Sequence, residues 1–128
     1  MTARTLGKAE RLHSKKLIQE LFTKGSSFYL HPFKVLVLSS PAPTAASHQI
    51  LVSVSKRNFK KAKDRNTVKR RVKEAYRLQK ANFKSSPSLL IAFIYIAKEV
   101  LPSSTIHPGL NQALKKVEQK YQSDSNPG

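Results

Sequence analysis

Nine consecutive apolar residues, Leu89-Leu90-Ile91-Ala92-Phe93-Ile94-Tyr95-Ile96-Ala97, constrain this chain more than any other segment. The run has about half the length that a membrane-crossing helix needs. A strand that is apolar on both faces belongs inside a sheet, so this segment is read as a central strand. Two more strands precede it. Pro32 to Ser40 carries the core Phe33-Lys34-Val35-Leu36-Val37-Leu38, and Ile50 to Ser55 alternates, with Ile50, Val52 and Val54 on one face and Leu51, Ser53 and Ser55 on the other. The proline-containing stretch Pro41 to Gln49 between them is a predicted loop.

Three helices complete the pattern. Ser14 caps a helix to Lys24 whose apolar face is Leu17, Ile18, Leu21 and Phe22, with Gly25 as the residue that ends it. Asp64 is the expected cap of a long helix running to about Phe83, with Val68, Val72, Ala75 and Tyr76 as its stripe. Ser85 to Ser88, with Pro87, ends that helix. After Pro102, Ser104 or Thr105 caps a last helix with Leu110, Leu114, Val117 and Tyr121 inward, and Pro108 is expected near its first turn. A chain of 128 residues fits one domain, here residues 1–122, with a mobile tail at 123–128.

Charge narrows the function. The chain carries 24 Lys+Arg against 7 Asp+Glu, a formal net charge of +17. Such an excess repels itself in a compact state and points to a polyanionic partner, nucleic acid first and an anionic membrane second. Residues 56–84 hold 13 of the 24 basic side chains, with Asp64 and Glu74 as their only acids. At 100° per residue, Arg65, Lys69, Lys73, Arg77 and Lys80 share one side of the helix, with Asn66 and Arg70 adjoining. Like charges at i,i+4 destabilise an unliganded helix, so this ridge calls for an anion to offset it. Residues 64–83 lack the large exposed apolar groups of a membrane-surface helix, which favours nucleic acid.

Protein-based catalysis finds no support. The seven acids (Glu10, Glu20, Asp64, Glu74, Glu99, Glu118 and Asp124) are scattered, and His13, His31, His48 and His107 lack metal-ligand spacing. Four glycines form no phosphate loop, and the absence of cysteine excludes disulfides and thiolate metal sites. Grouping His31 and His48 around Lys34 as a phosphodiesterase has nothing in the spacing to favour it. Catalytic and metal residues are therefore expected to be none. Met1 to Lys16 lacks a signal peptide's apolar core, so a soluble, cytoplasmic protein is expected.

At the basic helix the pattern becomes specific. Arg65-Asn66-Thr67-Val68-Lys69-Arg70-Arg71-Val72-Lys73-Glu74-Ala75-Tyr76-Arg77 resembles the signature of the bacterial ribonuclease P protein family. Val52-Ser53-Val54-Ser55-Lys56-Arg57 resembles the strand leading into that helix. Arg11-Leu12, Ile18-Gln19-Glu20-Leu21-Phe22, Gly25 and Ser27 resemble the family's first helix and turn. The chain departs from the pattern at Thr67 and Lys73, where arginine is expected, and at Leu36, where some relatives carry an aromatic residue.

The resemblance implies an α+β fold: a single-domain α/β sandwich in the order helix, three strands, helix, strand, helix, with a left-handed crossover around the basic helix. The residues alone give two strands before that helix, and the third lies within Phe28 to Ser40 or at the N-terminus. The resemblance further implies the protein subunit of ribonuclease P, whose RNA removes the 5′ leader of precursor transfer RNA. The RNA, not the protein, would hold the Mg2+ ions of cleavage, and neither a membrane nor a protein partner is needed. Lys56, Arg57, Arg65, Asn66, Lys69, Arg70, Lys73 and Arg77 are the candidate contacts to the RNA subunit. Ile18, Phe22, Phe33, Lys34 and Leu36 are the candidates for a leader cleft between the first helix and the sheet, while Leu17 and Leu21 are assigned to core. An apolar floor with a cationic rim suits an extended single strand. The competing readings are a ribosomal or chaperone-type RNA-binding protein and a nuclease acting alone.

Overall fold

The computed structural model describes residue 12 and residues 14–39, 48–79 and 89–125. In chain order the elements are α1 (Lys15–Lys24), β1 (Ser26–Leu30), β2 (Phe33–Ser39), β3 (Gln49–Val54), α2 (Ala62–Gln79), β4 (Leu89–Tyr95) and α3 (Ser103–Ser125). The strands form one sheet in the order β1-β2-β4-β3. β1 and β2 are antiparallel, as are β2 and β4, whereas β3 and β4 are parallel and joined through α2. The apolar run at 89–95 therefore lies inside the sheet, flanked on both edges and covered on both faces.

Period-2 alternation sorts the strand residues between two cores. On one face Phe33, Val35, Val37, Ile50, Val52, Val54, Ile91, Phe93 and Tyr95 pack against Val68, Val72, Ala75 and Tyr76 of α2. Ile106, Leu110, Ala113, Leu114 and Val117 of α3 close the same core. On the other face Leu36, Leu90 and Ala92 bury Leu21 of α1 and Leu12. The molecule is thus a sandwich, with α1 on one side of the sheet and α2 and α3 on the other. The N–H of Leu12 donates to Ile50 O on β3 at 2.8 Å, and Ser14 Oγ accepts from Leu17 N at 3.3 Å.

The third strand is β1, separated from β2 by a turn at His31 and Pro32. Pro32 has no N–H to donate, so the ladder stops there, while its carbonyl still accepts from Ile96 N at 2.9 Å. Several ends differ from the sequence reading. α2 begins at Ala62, and Asp64 lies in its first turn, favourable to the helix dipole, instead of capping it. Pro108 sits in the second turn of α3, beside Gly109, where an added Cβ would lie 2.9 Å from Pro32 Cδ. Gly25 is extended (φ −70°, ψ 152°), and its value is room: a Cβ there would come 2.5 Å from Leu21 O. α3 continues to Ser125, three residues into the expected tail. The expected extension of α2 to Phe83, Lys80, Lys84, the turn at 85–88, Arg11, His13, most of the loop at 41–49, and the side chain of Tyr121 lie outside the described residues.

Candidate nucleic-acid interface

The cationic surface starts at the connector between β3 and α2. Ser55 Oγ accepts from Arg57 N at 2.9 Å, and Ser55 O accepts from Phe59 N at 3.1 Å, which winds residues 55–59 into a turn. The Phe59 ring anchors this turn in the core, 5.9 Å from the ring of Tyr95. With the aromatic side chain inside, Lys56, Arg57, Lys60, Lys61 and Lys63 stand exposed around it. Arg65 locks the arrangement from α2, donating through Nη1 to Phe59 O at 2.6 Å and Lys60 O at 3.1 Å.

Along α2 the buried stripe at 68, 72, 75 and 76 fixes the rotation of the helix. Asn66, Arg70 and Lys73 are consequently exposed, and Arg65, Lys69 and Arg77 are partly so. Glu74 reaches Arg77 at 3.5 Å, a loose exposed pair. Arg71 points the other way and donates to Leu101 O at 2.7 Å, so it is a brace between α2 and the segment before α3. Thr67 donates its hydroxyl to Lys63 O at 2.9 Å, turned onto its own helix. The candidate residues 56 and 57 thus stand exposed on the connector, and 65, 66, 69, 70, 73 and 77 lie exposed or partly exposed along α2. The structure also shows Arg65 engaged with the protein's own backbone, which charge patterning alone does not reveal.

The second candidate surface is the α1 side of the sheet. The cross-strand row Tyr29, Lys34, Ile94, Ser53 runs over all four strands, and the adjacent row is Ser27, Leu36, Ala92, Leu51. Leu36 and Ala92 lie buried in the core that receives α1. Lys34, Ile94 and Ser53 are half-buried, and Tyr29 is exposed. Phe22 is 49 % exposed on α1, one turn after Ile18, which packs partly into the core.

Two of the five cleft candidates are corrected by this geometry. Phe33 is fully buried on the opposite face, edge-on to Phe93 at 5.7 Å and Tyr95 at 6.2 Å. Adjacent strand residues point to opposite faces, so Phe33 and Lys34 cannot share one floor. Leu36 is on the correct face but only 6 % exposed, a packing residue. Ile18, Phe22 and Lys34 retain access. Tyr29 is not among the sequence candidates because the residues alone leave the bounds and register of the third strand open. Once that strand is paired with β2, its register places Tyr29 beside Lys34.

Among the described residues no three His, Asp or Glu side chains come together as metal ligands. His48 accepts from Leu89 N at 2.9 Å, at the opposite end of β4 from Ile94, the partner of Lys34. Five residues of strand separate these points, about 17 Å. The grouping of His31 and His48 around Lys34 is therefore not assembled. No described helix is long and apolar enough to cross a membrane.

Comparison with known proteins agrees with this architecture. The sequence model of the family Ribonuclease P matches residues 6–121. A ribonuclease P protein component of Porphyromonas gingivalis is 32 % identical over 117 residues, covering 88 % of this chain and 85 % of that protein. One of Chlorobium phaeobacteroides is 38 % identical over 79 residues, 59 % of this chain and 54 % of its own length. Among solved structures, the ribonuclease P protein of Thermotoga maritima superposes with a TM-score of 0.70 at 24 % identity, over 84 % of this chain and 96 % of that one. A Staphylococcus aureus ribonuclease P protein mutant with defective mRNA degradation activity gives 0.73 at 23 %, over 86 % and 89 %. These last two likenesses show the shared fold. With the family's sequence model spanning almost the whole chain and a relative 32 % identical along most of it, the chain belongs to the ribonuclease P protein component family.

Proposed function

We propose that this chain is the protein subunit of a bacterial ribonuclease P, working in the cytoplasm. It binds the catalytic RNA through the connector and the outward side of α2, and it receives the 5′ leader of precursor transfer RNA between α1 and the sheet. The chemistry belongs to the RNA and its Mg2+, and the protein supplies positioning and counter-charge. The observation that carries this reading is the surface of Lys56, Arg57, Lys69, Arg70 and Lys73, set on a buried-stripe helix and a pinned turn within a chain of net charge +17. Cations carried on a folded helix and turn gain counterion-release free energy on a phosphate backbone without the chain that carries them first having to fold.

The test is reconstitution with the ribonuclease P RNA of the same organism, assayed on precursor transfer RNA at low magnesium. The protein is expected to lower the magnesium requirement for leader removal and to cleave nothing alone. Because the Staphylococcus aureus protein is described with an mRNA degradation activity, the protein-alone arm includes an unstructured RNA. RNA binding without any gain in leader removal would favour the ribosomal or chaperone reading. Cleavage by the pure protein would favour a nuclease acting alone.

A further inference from the structure

Tyr29 is 65 % exposed, more than any other large apolar side chain among the described residues. It stands on the edge strand β1, on the face that α1 only partly covers. A single exposed aromatic residue is unremarkable by itself, but this one is organised. It pairs in register with Lys34 on β2, and the Lys34 ammonium lies 5.6 Å from the centroid of its ring. The four strands contain no acidic residue, and Lys34 is their single charged side chain. No carboxylate on the sheet offsets that charge. A flat ring at an open edge, beside a cation that no strand carboxylate offsets, matches one nucleotide of single-stranded RNA, a base on the ring and a phosphate on the ammonium.

We propose that Tyr29 and Lys34 form a nucleotide subsite for single-stranded RNA at the β1 edge of the cleft. The inference rests on the leader-binding reading above and deepens it. It carries the path of the strand past the part of the sheet roofed by α1, along the row Ser53, Ile94, Lys34, Tyr29. Stacking needs the ring and not the hydroxyl, and the contact is indifferent to base identity because every base has a π-face.

The experiment uses the holoenzyme reconstituted with its RNA and a series of precursor transfer RNAs with leaders of increasing length. Tyr29→Ala is expected to weaken binding of long-leader precursors by about fivefold or more, the low end of what a base–aromatic stack supplies. Tyr29→Phe retains affinity, and Lys34→Ala reduces both affinity and its salt dependence. Mature transfer RNA and the RNA subunit alone bind all variants equally. The Tyr29→Ala loss disappears for leaders too short to reach the edge. If wild type does not prefer precursor over mature transfer RNA, the leader-binding reading falls and the subsite with it. If wild type does prefer precursor but Tyr29→Ala keeps that preference at every leader length, only the subsite is overturned. A wild-type dimer dissolved by Tyr29→Ala would also overturn it, by assigning the ring to contact between copies of the chain.

Discussion

Arg65 and Arg71 lie six residues apart on one helix, and both direct guanidinium hydrogen bonds into the protein. Arg65 holds Phe59 O and Lys60 O, and Arg71 holds Leu101 O. Lys69 and Arg70 have no such engagement described. Alanine at Arg65 should therefore lower stability by about 1–2 kcal/mol, a charged hydrogen bond discounted for partial exposure, and weaken RNA binding as well. Lys69→Ala and Arg70→Ala should weaken RNA binding while leaving the urea midpoint in place. Unfolding curves of the three variants check this, and an Arg65→Ala protein as stable as wild type would remove the clasp. Sequence periodicity locates all these residues on α2 and turns Arg71 away from the ridge, but it does not reveal what either Arg65 or Arg71 holds. The direction of Arg71 is set by a carbonyl 30 residues away, and that of Arg65 by how the connector closes. The assignment of Phe33 to the cleft failed differently. Alternation was there to be read, and it places residue 33 opposite residue 34.

At the scale of elements, the strands with an obvious code were legible and the one without was not. β4 is apolar throughout and β3 alternates, so each declares its place, whereas β1 (Ser26–Leu30) is half solvent-facing at an edge and carries no such pattern. The stripes of α2 and α3 were legible for the same reason, but Ile106 and Ala113 complete the α3 face only once the core is assembled. What ties these elements together is a polar clasp that no periodicity encodes. Tyr95 at the end of β4 donates its hydroxyl to Glu99 O at 2.6 Å and accepts from Leu101 N at 3.0 Å, while Arg71 of α2 takes Leu101 O. Burial, the largest influence, raises the Tyr95 pKa above its usual 10, against smaller opposing effects of the Leu101 N–H and Arg71. A folded-state pKa above the unfolded value means that the neutral hydroxyl's contribution is fully present below about pH 10. That contribution is lost as pH rises through the folded value. Tyr95→Phe should accordingly cost about 1–3 kcal/mol at neutral pH, by leaving Leu101 N and Glu99 O without this partner. It should also flatten the loss of stability above pH 10. Equal alkaline slopes for wild type and Tyr95→Phe, in denaturant titrations from pH 8 to 11, would show that another group governs that limb.

At the scale of the whole molecule, charge sets the terms of stability. The chain carries +17, and 11 of those net charges, 13 basic minus 2 acidic, lie between residues 56 and 84. Folding concentrates those on the connector and the solvent side of α2, because the pinned turn and the rotation of the helix place exposed cations at helical spacing. The unfolded chain holds the same charges farther apart, so repulsion is greater in the native state. An anion that spans several of these side chains binds the folded form alone and stabilises it by mass action, about 2.7 kcal/mol at a hundredfold excess over its dissociation constant. For a chain of this size that corresponds to a rise of about 10 °C in Tm. Simple salt also relieves repulsion, by screening, but it acts on all the charges evenly and without geometry. Thermal melts at matched ionic strength in chloride and in pyrophosphate separate the two effects. Pyrophosphate should give the higher midpoint, and its advantage should shrink when Lys69 and Arg70 are replaced by alanine. Identical midpoints in the two salts would mean that the cations form a diffuse cloud, and the surface built on α2 would lose its standing as a docking face.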